Sequence, residues 1–412
     1  ARAGDGFQVL VANLDYSDYL GRIAFGKIYE GKVKVGDTAI CRHGDSKISS
    51  GKITMIYHFE GMKRIEIPQA SAGDIIGITG FEDVFIGETI CDSEARPALP
   101  YIPIDPPTIQ MEFAVNDGPL AGKDGKLVTA RHIWERLQKE IRTNVALRVA
   151  PTADPKVFAV SGRGEMQIAI LVEQMRREGY EVLVSRPEVL WKKGANGELL
   201  EPVEKLFVEV PGENLGAVME NLSFRKAQIT NMNHVGAHVS VEALVPMRGI
   251  IGFETDLVNM TRGLGVMSHL FHEYGEDRGE IAARKNGSLV SMDAGSATSY
   301  ALNMIQERGR LMVEPGTEVY VGMIVGENAR ENDIPVNPVK EKRLTNMRSQ
   351  GDGKGIQLAP PLKLSLERAL EYIDVDEFVE ATPKNLRLRK RILDENQRKR
   401  SEKSRTIKFV EN

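Results

Sequence analysis

The segment GRIAFGK, residues 21–27, has the spacing of a loop that binds nucleotide phosphates. Such a loop needs a serine or threonine after its lysine, because that hydroxyl holds magnesium while the lysine and backbone amides bind the phosphates. Ile28 stands in that position. Apolar and polar residues alternate from Ile23 to Val35, which predicts strands and turns. We therefore expect this segment to be a strand, and a free-standing nucleotide-hydrolysing enzyme that uses it is the competing hypothesis.

Two pairs of histidines have a spacing that could suit a metal ion, namely His234 with His238 and His269 with His272. The first pair flanks a predicted hairpin turn, and the second lies on a predicted strand, where residues three apart face opposite sides. No carboxylate or cysteine completes either set, so no metal site is predicted. Ser161 does not lie in a G-x-S-x-G nucleophile turn, and no catalytic residues are predicted.

The residues with the clearest chemical character are basic, and the first group lies in the polar stretch 332–355. Its prolines and glycines predict a long exposed loop, and long loops are often functional. Lysines and arginines alternate there with hydrogen-bonding side chains, a composition that suits contacts with RNA phosphates. The candidate RNA-binding residues of this loop are Lys340, Lys342, Arg343, Asn346, Arg348 and Lys354. A solvated loop with no partner is the alternative.

The second basic group is the stretch 384–408, which holds eleven lysines and arginines against three acidic residues. Leu386, Leu388 and Ile392 suggest that its first half docks on the protein with the charges pointing outward. The candidate RNA-binding residues here are Arg387, Arg389, Lys390, Arg391, Arg398, Lys399 and Arg400. The alternative is a solvent-exposed helix with pairs such as Glu395 and Lys399 four residues apart.

Composition limits the class of protein. At 412 residues the chain is long enough for three or four domains. Its 54 basic and 58 acidic residues nearly balance, so any RNA-binding surface must be local. Two cysteines exclude a disulfide scaffold and suit a reducing compartment. Without a signal-like or membrane-spanning apolar run, we expect a cytoplasmic, soluble protein with no membrane partner.

The order of predicted elements indicates a multi-domain α+β protein. Residues 1–100 contain short strands separated by Gly-Asp turns and predict a β-barrel, which a proline-rich joint follows. Residues 101–190 read strand, helix, strand, strand, helix, strand, which is the βαββαβ order of a ferredoxin-like domain. Residues 191–276 repeat that order. Residues 277–412 predict a mixed α/β C-terminal module that carries the long basic loop.

Several of these segments resemble one family. GRIAFGKIYEGKVKVGD resembles the barrel domain of translational GTPases, and VSGRGEMQIAILVEQMRREGYEVLVSRPEV resembles the third domain of elongation factor G. PMRGIIGFETDLVNMTRGLG resembles a helix of the fifth domain, and the KRLTNMRS loop belongs to an unusual C-terminal module. The order of parts is most similar to the BipA family, also named TypA. LepA, which shares three of these domains, is the alternative within the same class.

The resemblance implies a fragment of a GTP hydrolase, with GTP and magnesium held by a nucleotide-binding domain that we expect upstream. No cofactor and no enzymatic activity are expected of this chain itself. The family implies binding to the bacterial ribosome, both to large-subunit rRNA and to A-site tRNA, and roles in stress-related translation and large-subunit assembly. A monomer is expected. A protein-interaction scaffold with an incidental basic end is the competing hypothesis from another class.

Overall fold

The structure is a computed structural model. The structure describes residues 6–17, 19–43, 46–61, 63–100, 105–281, 284, 286–341 and 357–401. It has two compact units, residues 1–106 with 134–149 and residues 107–133 with 150–412. Strands and helices occur together, which confirms the α+β class. Within the described ranges no helix is long and apolar enough to cross a lipid bilayer.

Within the described residues, the part of the first unit from residue 6 to residue 100 contains ten short strands. They are β1 (Gln8–Ser17), β2 (Gly21–Glu30), β3 (Lys32–Lys34), β4 (Thr38–His43), β5 (Ser46–Lys52), β6 (Ile56–Glu60), β7 (Lys63–Glu66), β8 (Gln69–Ser71), β9 (Ile75–Thr79) and β10 (Thr89–Cys91). Eight of them form one antiparallel sheet in the order β5-β4-β10-β1-β2-β9-β6-β7, and β3 pairs with β8 in a separate ladder. The hydrogen-bonded path through the described strands ends at β5 and β7, so the predicted barrel is not closed.

The segment GRIAFGK forms the first part of β2, as predicted. Gly26 lies where β2 and β1 approach closely, because a Cβ atom at this position would stand 2.1 Å from the carbonyl oxygen of Leu10. This glycine therefore allows two strands to pack, whereas the glycines of a nucleotide-binding loop leave room for phosphates. Lys27 is exposed, and its ammonium lies 6.0 Å from the ring centre of Tyr29. These residues do not fit a triphosphate and magnesium.

The chain then passes twice through the order strand, helix, strand, strand, helix, strand. The first pass comprises β11 (Ile109–Val115), α1 (Ala130–Thr143), β12 (Arg148–Pro151), β13 (Val157–Gly162), α2 (Glu165–Arg177) and β14 (Val182–Ser185). After β15 (Glu188–Val189) and β16 (Lys192–Lys193), the second comprises β17 (Leu199–Pro211), α3 (Leu215–Phe224), β18 (Gln228–Val235), β19 (His238–Pro246), α4 (Met247–Ile250), α5 (Phe253–Met260) and β20 (Val266–Glu276). A 3-10 turn, Gly212–Asn214, precedes α3.

The strands of the second pass lie in the order β18-β19-β17-β20. Alternate residues of β17 and β19, including Leu206, Val208 and Val241, are buried, as expected for a sheet with helices on one face. Lys205 and Phe207 lie on the other face and are partly exposed. We refer to β17–β20 with their helices as the second βαββαβ domain.

The C-terminal module contains eight strands and two helices within the described residues. They are β21 (Ser288–Ser291), β22 (Gly295–Ser296), α6 (Ser299–Ile305), β23 (Gly309–Leu311), β24 (Glu318–Val319), β25 (Met323–Asn328), β26 (Ile334–Val336), α7 (Leu366–Tyr372), β27 (Glu377–Ala381) and β28 (Leu386–Lys390). A 3-10 turn, Gln306–Arg308, joins α6 to β23. The strands continue the sheet of the first pass in the order β13-β11-β14-β27-β28-β25-β21-β26. The basic segment 386–390 is thus an interior strand, between β27 and β25.

Candidate nucleic-acid interface

The prediction of an exposed loop is wrong for its first part, because residues 334–336 form strand β26, in which Val336 is buried. The rest of the predicted RNA-binding loop leaves and rejoins the described structure at opposite ends of helix α6. Thr298, the N-cap residue of α6, donates its hydroxyl to the carbonyl oxygen of Lys340 at 2.6 Å. Beyond the other end, the Gln306 side chain donates to the carbonyl oxygen of Gln357 at 3.0 Å and accepts from the amide of Ala359 at 3.1 Å. A seven-residue helix is about 10 Å long, so it holds the two ends of the loop a short distance apart.

Most of the loop's candidate residues lie outside the described residues. These are Lys342, Arg343, Asn346, Arg348 and Lys354. Lys340 is described and exposed, immediately before that stretch. The assignment of these residues to RNA stays a prediction.

Arg389 is buried and Arg387 is largely enclosed, and both are held in ion pairs. Arg387 contacts Glu380 at 2.9 Å and Asp124 at 3.2 Å, while Arg389, only 2% exposed, contacts Asp117 at 2.8 Å. Asp117 and Asp124 belong to the loop between β11 and α1. The two arginines therefore connect the C-terminal module to the loop between β11 and α1, which lies in the same unit.

Lys390 is enclosed by carboxylates. Its ammonium lies 2.5 Å from Asp333, 2.9 Å from Asp376 and 2.9 Å from Glu377, and its side chain is 2% exposed. Arg284 also forms two hydrogen bonds of 3.0 Å with Glu377. Burial alone would raise the pKa of Glu377, but Lys390 and Arg284 outweigh it and lower that pKa to about 2. We name Lys390, Arg284 and these three carboxylates the Lys390 cluster.

The expectation that the charges of this basic segment point outward is wrong for Arg387, Arg389 and Lys390. Their strand lies inside the sheet, and acidic residues from distant parts of the chain neutralise them. Arg391 is partly exposed, but it too forms an ion pair, with Glu112 at 2.7 Å, and its guanidinium lies 4.4 Å from the ring centre of Phe378. Charges compensated at contact distance add little to the long-range attraction of RNA.

The remaining candidates follow β28. Arg398 donates to the carbonyl oxygens of Ile392 and Leu393 at 2.9 and 2.7 Å, and Lys399 pairs with Glu395 at 2.6 Å. The pair of Lys399 with Glu395 is the one that the sequence spacing suggested. Lys399 and Arg400 are exposed. Among the described candidates, the exposed residues are therefore Lys340, Lys399 and Arg400.

A cluster of acidic residues around a histidine was missed by the sequence analysis. Glu165, the first residue of α2, has one buried carboxylate oxygen with no hydrogen-bond partner. A cavity of about 80 Å³ is lined by Glu165, by Glu254 and His269 of the second βαββαβ domain, and by Glu371 of α7. His269 forms a hydrogen bond with the buried Glu204. His269 is therefore part of a junction of three elements, which the spacing of histidines could not indicate.

Two titratable groups of this junction, Glu165 and His269, have shifted pKa values. Burial, followed by the charge of Glu371, raises the pKa of Glu165 to about 7. The hydrogen bond that His269 donates to the Glu204 carboxylate raises the pKa of His269. The folded state thus binds protons that the unfolded chain releases, so both groups contribute stability at low pH. This contribution falls as the pH rises from about 4.5 to 7 for Glu165, and through the raised pKa of His269.

We expect Glu165→Gln to stabilise the protein at pH 8 by about 1–2 kcal/mol and to have little effect at pH 5, because the buried carboxylate is charged only at the higher pH. Urea unfolding at the two pH values measures the difference. Glu188→Gln, at an exposed position of β15, is the matched control and should change neither value. Equal pH dependence of the parent and Glu165→Gln would contradict the role of Glu165.

Three family models match successive parts of the chain. Residues 21–91 match elongation factor Tu domain 2, residues 198–285 match the elongation factor G C-terminus, and residues 286–395 match the TypA/BipA C-terminal domain. Two of these three models describe elongation-factor domains, so the chain belongs to the class of proteins built in part from such domains.

Curated relatives match nearly the whole chain. Proteins named large ribosomal subunit assembly factor BipA are 46% identical over 98% of this chain in Bacillus subtilis, 47% over 93% in Synechocystis and 43% over 97% in Escherichia coli K12. The chain belongs to the BipA (TypA) family, which decides against LepA. It spans 66%, 64% and 66% of the length of these three relatives, somewhat less than two thirds.

Proposed function

We propose that this chain supplies the ribosome-binding surfaces of a BipA-type large-subunit assembly factor. Its relatives carry that name, and the module that matches the TypA/BipA C-terminal domain holds the basic loop by both ends. The anchored loop is the observation that carries the proposal. The loop is basic, and the residues at its two ends are hydrogen-bonded next to the two ends of α6. In this proposal the factor acts in the cytoplasm as a monomer, including under stress.

The proposed partner of the loop is RNA of the ribosome, either large-subunit rRNA or the acceptor end of A-site tRNA. The mechanism is electrostatic. Lysines and arginines displace the counterions of the RNA, and the affinity therefore falls steeply with salt. Because carboxylates hold Arg387, Arg389 and Lys390, this role falls in the proposal to Lys340 and to the loop residues outside the described ranges.

The same proposal limits the chemistry of the described residues to binding. Residues 21–27 form a strand that has no place for a phosphate, so GTP and magnesium would be held by other residues of a whole factor. When bound there, GTP would supply the energy of its hydrolysis. The residues described here orient and hold the factor on RNA.

Sedimentation with purified large ribosomal subunits tests this function. With about five phosphate contacts, the slope of log affinity against log salt is expected to be about −3 to −5. Charge reversal by Lys342→Glu with Arg343→Glu should make the slope shallower by about 2 and weaken binding more than tenfold at low salt. The matched control is Lys32→Glu with Lys34→Glu, two exposed positions of β3 with the same change in net charge.

An unchanged slope in the loop variant would contradict the role of the loop. Sedimentation that survives removal of RNA by nuclease would favour the scaffold hypothesis, in which the partner is a protein.

A further inference from the structure

One end of the second βαββαβ domain carries two short segments in which an aromatic residue is followed by two cations. They are Trp191-Lys192-Lys193, which includes β16, and Phe224-Arg225-Lys226, at the C-terminal end of α3. Neither segment was singled out by the sequence analysis. Trp191 is 40% exposed and Phe224 70% exposed, and Lys192, Lys193 and Lys226 are exposed as well. Large exposed aromatic side chains beside lysines are unusual on a surface that only faces water.

Strand pairing places the two segments at the same end of the sheet. Lys192 pairs with Leu200 in β17, and Gln228, two residues after Lys226, pairs with Leu244 in β19. Leu244 pairs in turn with Lys205, two residues from the pair of Val203 with Pro246 that ends the β17–β19 ladder.

A continuous set of contacts connects the segments. Arg278 donates from its guanidinium to the carbonyl oxygen of Lys226 at 3.1 Å and from its amide to Glu201 at 2.9 Å. Glu201 is fully buried and accepts from Arg248 at 2.6 Å, and the Arg248 guanidinium lies 5.7 Å from the ring centre of Trp191.

The acidic residues inside this set are held by arginines. Glu201 and Asp277 both pair with Arg248, and Asp256 pairs with Arg225 at 2.6 Å. Lysine charges therefore face the solvent beside the rings. Lys192 itself lies 3.7 Å from the ring centre of Tyr274, which adds a third aromatic side chain.

Lys226 has a backbone conformation that a lysine rarely adopts. Its φ is 59°, in the left-handed region, and it follows α3 in the position where glycine usually ends a helix. The amide of Ala227 donates to Leu222 and that of Lys226 to Ser223, both at 3.0 Å, which is the hydrogen-bond pattern of such a glycine turn. Glycine would relieve the strain, so the presence of a lysine here calls for an explanation.

A favourable interaction with the helix dipole is the simpler explanation for a cation at this position. Arg262 permits a comparison, because within the described residues it and Lys226 are the non-glycine residues with positive φ. Arg262 follows α5 in the equivalent position, with φ 53°. It lies four residues before Val266, which pairs with Glu209 at the other end of β17. The dipole argument applies equally to both residues. Of the two, Lys226 is the one that lies in a segment with an exposed aromatic residue, Phe224.

We propose that Trp191, Lys192, Lys193, Phe224 and Lys226 form a second RNA-binding surface, which takes an unpaired stretch of RNA. Bases would stack on the exposed aromatic rings while the lysines contact the phosphates, the combination used by proteins that bind single strands. An acidic protein surface is the competing partner, and an acidic polypeptide serves as its probe in the test below. The inference rests on the proposed function, since it assigns a further part of the same chain to ribosomal RNA.

Tryptophan fluorescence tests this surface directly. In a Trp134→Phe background, Trp191 is the remaining tryptophan of the chain. The loop reversals Lys342→Glu and Arg343→Glu are included so that the loop does not dominate RNA binding. A ten-residue oligouridylate is expected to quench Trp191, and Trp191→Leu should weaken binding of a labelled oligouridylate about fivefold or more.

Two glycine substitutions separate an RNA-binding role from a structural one. Lys226→Gly and Arg262→Gly should both raise the urea midpoint, since each relieves a left-handed residue. Lys226→Gly alone should weaken oligouridylate binding, about threefold, and make its salt slope shallower by about 0.7. Equal affinities of the two variants would overturn the proposal, and so would quenching of Trp191 by an acidic polypeptide but not by oligouridylate.

Ribosome sedimentation distinguishes this failure from failure of the proposed function. If the unchanged chain sediments with large subunits but oligouridylate leaves Trp191 fluorescence unaltered, this surface is refuted and the proposed function stands. If the chain does not sediment with ribosomes at all, the proposed function fails and this inference fails with it.

Discussion

Lys390→Met is expected to lower the free energy of unfolding by about 3–5 kcal/mol, because it removes the cation from the Lys390 cluster and leaves buried carboxylates without a counterion. Methionine keeps most of the side-chain volume, so the loss reports charge more than packing. Urea unfolding at pH 7 measures it. Lys399→Met, an exposed position nine residues further along the chain, should change stability by less than about 0.5 kcal/mol.

The pH dependence of the same variant has a defined sign. In the parent, the low pKa of Glu377, about 2, contributes stability above about pH 4.5 that is lost as the pH falls toward 2. Without Lys390 the carboxylates bind protons more readily in the folded state, so the deficit of Lys390→Met should shrink between pH 7 and pH 4. A deficit that stays constant over this range would show that lost packing, and not charge, causes the destabilisation.

Glu181→Ala is expected to be about as damaging, at 3–5 kcal/mol. Glu181 is fully buried and accepts hydrogen bonds from the backbone amides of Gly122, Asp124 and Gly125 at 2.8, 2.9 and 2.6 Å. It thereby holds the loop between β11 and α1. Alanine would leave these amides without their acceptor in a place that water reaches poorly.

Two measurements check this second prediction. Urea unfolding should show the loss of stability, and limited proteolysis should cut the chain within residues 116–126 faster than in the parent. Glu188→Ala, an exposed glutamate of β15, is the matched control and should behave as the parent. Unchanged proteolysis of Glu181→Ala would contradict the view that this carboxylate organises the loop.

The two predictions concern one connected structure. Asn116 donates to Glu181 at 3.3 Å and to Glu380 of β27 at 3.2 Å. Glu380 also pairs with Arg387, and the hydroxyl of Tyr320 donates to it at 2.5 Å. The pairing of β14 with β27 places the C-terminal module and the strands β11–β14 in one sheet. The buried polar groups add a second connection between them. The basic loop is therefore held by a module that is itself firmly fixed within its unit.

Local patterns were sufficient to predict most elements of this protein. Strand-like alternation and glycine turns predicted GRIAFGK as a strand, and β2 confirms it. The two helices predicted within residues 101–190 are α1 and α2, and Gly164 is the N-cap residue of α2. The four domain boundaries and the RNA contacts of the loop stay predictions.

Closure of the barrel and the direction of the basic side chains could not be predicted in the same way. A path of strands closes only if its two edge strands meet, and nothing in the local sequence of β5 or β7 specifies that meeting. Likewise, alternation in residues 386–390 suggested an outward basic face, but the strand that forms there has neighbours on both sides.

The sequence by itself determined the kinds of elements, their order and the concentration of positive charge toward the C-terminal end, since these depend on residues close together in the chain. Only the tertiary structure decided which cations remain available to a partner. Arg389 meets Asp117 and Lys390 meets Asp333, carboxylates 272 and 57 residues away, and such pairing follows from strand order. The same folding brings Trp191 and Lys226 to one end of a sheet, where neither segment alone would indicate a binding surface.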